Sequence, residues 1–216
     1  LVGSNLIKYL TMHGMICIPF DCRADAQQNI QHLESLMAVE PVEGIVHLAG
    51  TSRVVLGQQN PEQCRLNNVL GTKWVIKKAL AQQKKPWVLF TSSREVYGQQ
   101  ASLPVQEDCQ RDPMNVYAKS KHLAEDLLMS ARAQGLRTAI VRLSNVFGGL
   151  TDHANRVIPA FCQAALNNGF LKLEGADNIF DFTYIDDVCD GLGRLIMLLN
   201  TTTEISLKIF LHFCHL

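Results

Sequence analysis

The chain has 216 residues, 47% of them apolar and 19% charged, which excludes a disordered or fibrous protein and leaves room for a sizeable core. Lysine plus arginine and aspartate plus glutamate both number 20, so no basic field exists to gather nucleic acid or anionic lipid. Seven scattered cysteines without a C-x-x-C pair point to a reducing cytoplasm rather than a disulfide framework. No apolar stretch is long enough to span a bilayer, and Ser4, Asn5 and Lys8 break the pattern that a secretory leader would need.

Residues 1–13 carry apolar side chains at positions 2, 6, 7 and 10 with Gly14 behind them, which predicts a helix. Residues 15–20 read as a short buried strand that delivers Asp21 at its carboxyl end. A helix over 27–39 and a second strand over 44–50 (GIVHLAG) follow. Next come a helix over 61–83, a strand over 87–92, a long helix over 115–133 closed by Gly135, and a strand over 138–143. Such alternation predicts an α/β fold with a doubly wound parallel sheet, because parallel neighbours need a crossover and the crossover is usually helical.

Beyond Asn145 the texture changes to a glycine-containing loop, a helix over 156–168, short strands over 171–174 and 182–184, and a helix opened by Asp186 and Asp187. The expectation is a larger domain over 1–145 and a partial, smaller lobe over 146–216. No repeat or flexible linker separates them.

The sharpest chemical constellation is Tyr117-Ala-Lys-Ser-Lys121. A spacing of four on a helix puts the Tyr117 phenol and the Lys121 ammonium one turn apart on one face. A cation held there is expected to favour phenolate and make Tyr117 a usable general base. Phe90-Thr-Ser-Ser93 delivers hydroxyls to the carboxyl edge of the sheet, where doubly wound folds hold ligands. Ser93 there can bond a substrate oxygen while Tyr117 moves its proton; by itself, a serine cap is the plainer reading.

These segments, taken in order, resemble the extended short-chain dehydrogenase/reductase family and its nucleotide-sugar epimerase and dehydratase branch. The resemblance rests on Gly3-Ser-Asn-Leu-Ile-Lys-Tyr-Leu, His47-Leu-Ala-Gly50, Asn67-Asn-Val-Leu-Gly-Thr72, Ser92-Ser-Arg-Glu-Val-Tyr-Gly98, Tyr117-Ala-Lys-Ser-Lys121, Arg142-Leu-Ser-Asn-Val-Phe-Gly148 and Asp181-Phe-Thr-Tyr-Ile-Asp-Asp-Val188. It implies a Rossmann-like sheet and NAD as cofactor. Gly3, Asp21, Leu48, Ala49, Gly50, Asn67, Ser92 and Ser144 would line the cofactor together with Tyr117 and Lys121. Asp21 lies 18 residues after Gly3, close to the spacing expected for a ribose-binding carboxylate.

The same resemblance makes Ser93, Tyr117, Lys121 and Glu95 catalytic, and Ser93, Tyr117 and Asn145 substrate contacts. It implies an epimerase acting through a transient ketosugar, and a homodimer formed through the helices over 61–83 and 115–133. Glu95 bears on the alternatives. Family dehydratases carry an Asp-Glu pair where this chain has Arg94-Glu95, and an arginine cannot donate a proton at neutral pH. Dehydration is therefore expected less than epimerisation, with decarboxylation the nearer rival. Glu95 otherwise reads as a loop carboxylate paired with Arg94.

The resemblance starts at the third glycine of the family's Gly-rich loop, and the stretch 201–216 does not follow the family pattern. A non-catalytic remnant that binds cofactor poorly is thus the second expectation. His212, Cys214 and His215 fit no zinc template, so no metal is expected. His47 reads as a packed strand-end residue, and Asp186 and Asp187 read as helix-opening residues.

Overall fold

In a computed structural model of the protein, the described residues are 1–20, 42–149, 152–171, 173, 175 and 177–201. The helix expected over 27–39, Asp21 and the His212–Cys214–His215 cluster lie outside them. The element order is α1 (Val2–Met12), β1 (Gly44–His47), α2 (Val54–Gln59), α3 (Pro61–Arg65), a π-helical turn (Leu66–Leu70), α4 (Gly71–Ala81), β2 (Trp87–Ser93), a 3-10 turn (Arg94–Tyr97), α5 (Val116–Arg132), β3 (Thr138–Leu143), β4 (Asn145–Phe147), α6 (Val157–Leu166), β5 (Phe182–Tyr184) and α7 (Ile185–Thr201).

The main sheet is parallel in the order β1-β2-β3. Gly44 pairs with Trp87, and Val88 with Thr138. Strand side chains alternate between faces, and both faces are apolar here. Trp87, Leu89, Ala139 and Val141 join a core with Leu6 and Leu10 of α1 and Leu192, Leu195 and Ile196 of α7. Val88, Phe90 and Ile140 join a second core with Val75, Ile76 and Ala79 of α4 and Ala124, Leu128 and Ala131 of α5. One period-two pattern thus accounts for helices on both sides. Helices α1 and α7 approach closely at Gly193, where a Cβ would overlap the Tyr9 ring; Tyr9 Oη donates to Asp190 Oδ1 at 2.8 Å across the same junction.

Helix α5 starts where the Asn115 side chain accepts a hydrogen bond from Ala118 N at 2.8 Å, satisfying one of the helix's first free amides. Its buried positions are 117, 118, 120, 121, 124, 125, 128 and 131, a helical stripe that places Tyr117 and Lys121 inward with the core leucine. Helix α6 and the parallel pair β4-β5, in which Asn145 lies opposite Phe182, follow the main sheet, and Val146 of β4 joins the first core.

Two expected strands are not seen among the described residues. Residues 15–20 form no ladder: Met15 and Cys17 pack on the core while Ile16 and Ile18 face outward, 96% and 48% exposed. The alternation of a strand is present there without a backbone partner, since β1 pairs with β2 alone among the described residues. Leu171 and Leu173 likewise lie outside any strand and are 55% and 65% exposed, so nothing buries an apolar face there. The single helix expected over 61–83 is broken by the π-helical turn at 66–70 and preceded by the short α2. Among the described residues no helix is long and apolar enough to cross a membrane, no cluster suits a metal ion, and all five cysteines are free.

His47 closes β1 as a packed residue. Its Nε2 lies 2.9 Å from Thr72 Oγ1, and burial, helped by the Lys121 charge, lowers its pKa to about 3. In the unfolded chain the value returns to about 6.5. Because the folded value is the lower, the unfolded chain binds the proton first, and stability is lost as pH falls through 6.5 toward 3. Between pH 7 and pH 5 this residue alone is expected to remove about 2 kcal/mol. His47→Gln should abolish that share, so the gap between variant and wild type in urea unfolding narrows by about this amount at the lower pH.

Candidate active site

Parallel strands deliver their carboxyl ends to one edge. There Leu48-Ala-Gly50 follows β1, Ser92 and Ser93 end β2, and Ser144 and Asn145 follow β3. Helix α5 lies beside β2 and brings Tyr117 to this edge.

Tyr117 is 8% exposed, and burial raises its phenol to about 12. A side-chain hydrogen bond from Ser93 acts against that rise, while the Glu95 carboxylate adds to it. Lys121 is 5% exposed. Its Nζ donates to Thr91 O at 2.9 Å and sits 4.6 Å from the centre of the Phe90 ring. Burial lowers its pKa to about 8. In this structure Lys121 is not among the groups that lower the phenol. The ammonium is engaged by a strand carbonyl, and desolvation of the ring outweighs what a cation one turn away was expected to supply.

Ser93 has a double engagement, since Glu95 N donates to Ser93 Oγ at 3.2 Å while the hydroxyl also serves the phenol. Glu95 is held at both oxygens. Arg94 Nη2 lies 3.0 Å from Oε1, and Asn115 Nδ2 donates to Oε2 at 3.0 Å. Asn115 also caps α5, so Glu95 is tied to the start of the helix that carries Tyr117.

The loop after β1 depends on Asn68, whose neighbour Asn67 the sequence singles out instead. Asn68 is 1% exposed. Its Oδ1 accepts from Thr51 N at 2.7 Å, and its Nδ2 donates to Thr51 O at 3.1 Å and Ser120 Oγ at 2.8 Å. The loop after β1 is thereby pinned to α5. Gly50 permits the close approach: with φ +152°, a Cβ there would overlap Asn68 Oδ1 and lie 4.0 Å from Lys121 Nζ. Asn67 is exposed instead and bonds Gln63 Nε2 at 2.8 Å and Thr51 Oγ1 at 3.2 Å. The signal for Asn68 was the spacing of four that aligns Cys64, Asn68 and Thr72, all buried.

Other expected site residues fall into two groups. Gly3 and Leu48 meet, since a Cβ on Gly3 would touch Leu48 Cδ1 at 3.4 Å, and Ala49 is exposed beside them. Ser144 Oγ donates to Asp181 O at 2.8 Å, and Asn145 N donates to the same carbonyl at 3.3 Å, so both serve the junction between the two sheets. Ser92 Oγ is buried with no hydrogen-bond partner among the described residues.

Residues 1–204 match the NAD dependent epimerase/dehydratase family. The chain belongs to that family. A UDP-glucose 4-epimerase of Azospirillum brasilense is 30% identical across 88% of this chain and 64% of its own length. The RMD protein of Pseudomonas aeruginosa, solved with NADPH, superposes with a TM-score of 0.77 at 28% identity, over 91% of this chain and 69% of that one. The UDP-glucose 4-epimerase of Brucella ovis, solved with NAD, gives a TM-score of 0.79 at 23% identity, over 93% and 70%, and bears on the fold alone. The chain thus spans slightly under two thirds of the length of its epimerase relative. As a member of the epimerase/dehydratase family it has a Rossmann-type α/β fold and NAD as the family's cofactor.

Asn68→Ala would strip partners from both backbone groups of Thr51 and from Ser120. A loss of roughly 2–3 kcal/mol is expected, read as a fall in Tm of about 5–10 °C. Asn67→Ala should stay within about 0.5 kcal/mol in the same melts, because its contacts are exposed.

Proposed function

We propose that the chain is the core of an enzyme that epimerises a nucleotide sugar through a transient ketosugar. The observation that carries this reading is the Tyr117 phenol buried against Ser93 at the carboxyl edge of β2, on the same helix as the buried Lys121. NAD, when bound, would accept a hydride from a sugar carbon and return it. Gly3, Leu48, Ala49, Gly50, Ser92 and Lys121 would hold it, with Asp21, Asn67 and Ser144 completing the contacts that the family resemblance implies.

Ser93 would hold the reacting oxygen of the sugar, and Tyr117 would move the proton at that oxygen. At about pKa 12 the resting phenol carries its proton at neutral pH and is set to deliver it to a ketone oxygen. The opposite transfer needs phenolate. The Ser93 hydrogen bond favours it, and the Lys121 cation would do so once drawn from Thr91 O toward the phenol. Asn145 would meet the sugar from the other lobe.

Glu95 favours epimerisation over elimination or decarboxylation. Arg94 and Asn115 hold one oxygen each, which supports a positioning part for Glu95, and Arg94 supplies no acid. A cytoplasmic homodimer is part of the same reading. Leu66 and Leu70 of the π-helical turn and Leu123 and Met129 of α5 are each between 37% and 48% exposed, an apolar surface on the two helical segments that would form the interface.

NAD at millimolar concentration should raise the melting temperature by several degrees, as binding to the folded state alone requires; no shift would instead favour the non-catalytic remnant. Tyr117→Phe is expected to abolish epimerisation of a UDP-hexose, at least 10²-fold as for loss of a proton-transfer group, with Tm nearly unchanged. Undiminished turnover would remove Tyr117 from the chemistry.

A further inference from the structure

Arg94 follows Ser93 directly and lines a cleft with Glu95, Met114 and Asn115. Its guanidinium is fixed from two directions. Nη2 pairs with Glu95 Oε1 at 3.0 Å, and Cζ lies 5.2 Å from the centre of the Phe180 ring, which belongs to the segment leading into β5. Nε and Nη1 have no hydrogen-bond partner among the described residues. The side chain is 31% exposed, so these donors remain within reach of a ligand. A planar fork already laid on an aromatic face loses little freedom when it takes an oxyanion side-on.

Glu95 does not use up this cation. It is anchored independently by Asn115, so it can keep one edge of the guanidinium while a second anion takes the other. The position of the cleft then limits which anion fits. Arg94 opens the 3-10 turn that follows Ser93, the residue proposed to hold the reacting hydroxyl, and lines the cleft there. On a hexopyranose oxidised at C4, the neighbouring substituent that bears charge is a carboxylate on C5. The nucleotide diphosphate hangs from C1, across the ring.

We infer that Arg94 reads a ring carboxylate, so that the site prefers a nucleotide sugar of the uronate class to its neutral hexose counterpart. This rests on the reading of the site as one that oxidises a nucleotide sugar.

The test is calorimetric titration of the NAD-loaded chain with UDP-glucuronate, UDP-glucose and UDP, for wild type, Arg94→Met and Arg94→Lys. Wild type is expected to bind the uronate about tenfold more tightly than the hexose, as for one charge-assisted pair. Arg94→Met should erase that preference while affecting UDP-glucose and UDP far less, and Arg94→Lys, keeping charge without the fork, should retain part of it. Equal affinity of wild type for the two sugars overturns the inference and leaves the epimerase reading standing. A similar loss on all three ligands assigns Arg94 to the diphosphate and also overturns it. Failure of wild type to bind either sugar nucleotide, with NAD still bound, removes the proposed function itself.

Discussion

The arrangement depends on a buried carboxylate. Glu125, 1% exposed, sits on α5 one turn beyond Lys121 and two beyond Tyr117. Arg142 of β3 grips it with two bonds, Nε to Oε1 at 2.9 Å and Nη2 to Oε2 at 2.8 Å, and Arg111 adds a third at 3.1 Å. The same Arg142 donates to Glu107 O at 3.0 Å and lies 4.6 Å from the centre of the Tyr97 ring. Taking one partner from such a buried pair strands a charge and costs about 3–5 kcal/mol, a large part of the 5–15 kcal/mol that keeps a typical domain folded. Hydrophobic packing alone would tolerate some sliding of α5 along the sheet. The charge cluster does not, and it fixes the helix face carrying Tyr117 against the turn that follows Ser93.

The location of the site follows from strand direction. With β1, β2 and β3 parallel, every strand ends on the same side, and residues scattered through the chain from Leu48 to Asn145 share one edge. Both faces of the sheet are closed by α1 with α7 and by α4 with α5. The open carboxyl edge is therefore where a ligand can meet several strand ends at once.

Much of this was legible in the residues themselves. Strands 87–93 and 138–143 are apolar on both faces and short, and α5 combines an Asn115 cap with a buried stripe, so periodicity and capping agreed. The alignment of Ser93 with Tyr117 followed from placing both at one sheet edge. What escaped was whatever depends on a partner elsewhere in the chain. Residues 15–20 have the alternation of a strand, yet pairing is a property of two segments and no pattern within one of them reveals its absence. Asn67 and Asn68 are chemically identical, and only the phase of the helix, altered by a π-helical turn, decides which is buried. The Lys121 contact with Thr91 O joins positions 30 residues apart, and helical spacing is silent about it.

The shifts of Tyr117 and Lys121 share one cause and act in opposite senses. Burial disfavours the charged form of each, so the phenol rises to about 12 and the ammonium falls to about 8, and each group moves toward its neutral state. A pair tuned by mutual attraction would show the reverse pattern, with a lowered phenol and a raised amine. The desolvation is partly offset for Lys121 by a carbonyl and a ring face, and for Tyr117 by the Ser93 hydroxyl, whereas the Ser92 hydroxyl receives no offset. Such a cluster is costly for the fold on its own. The same groups that destabilise the folded chain are those that the proposed function assigns to a sugar hydroxyl, a role that would give a physical reason for burying a phenol and an amine where apolar side chains would pack at lower cost.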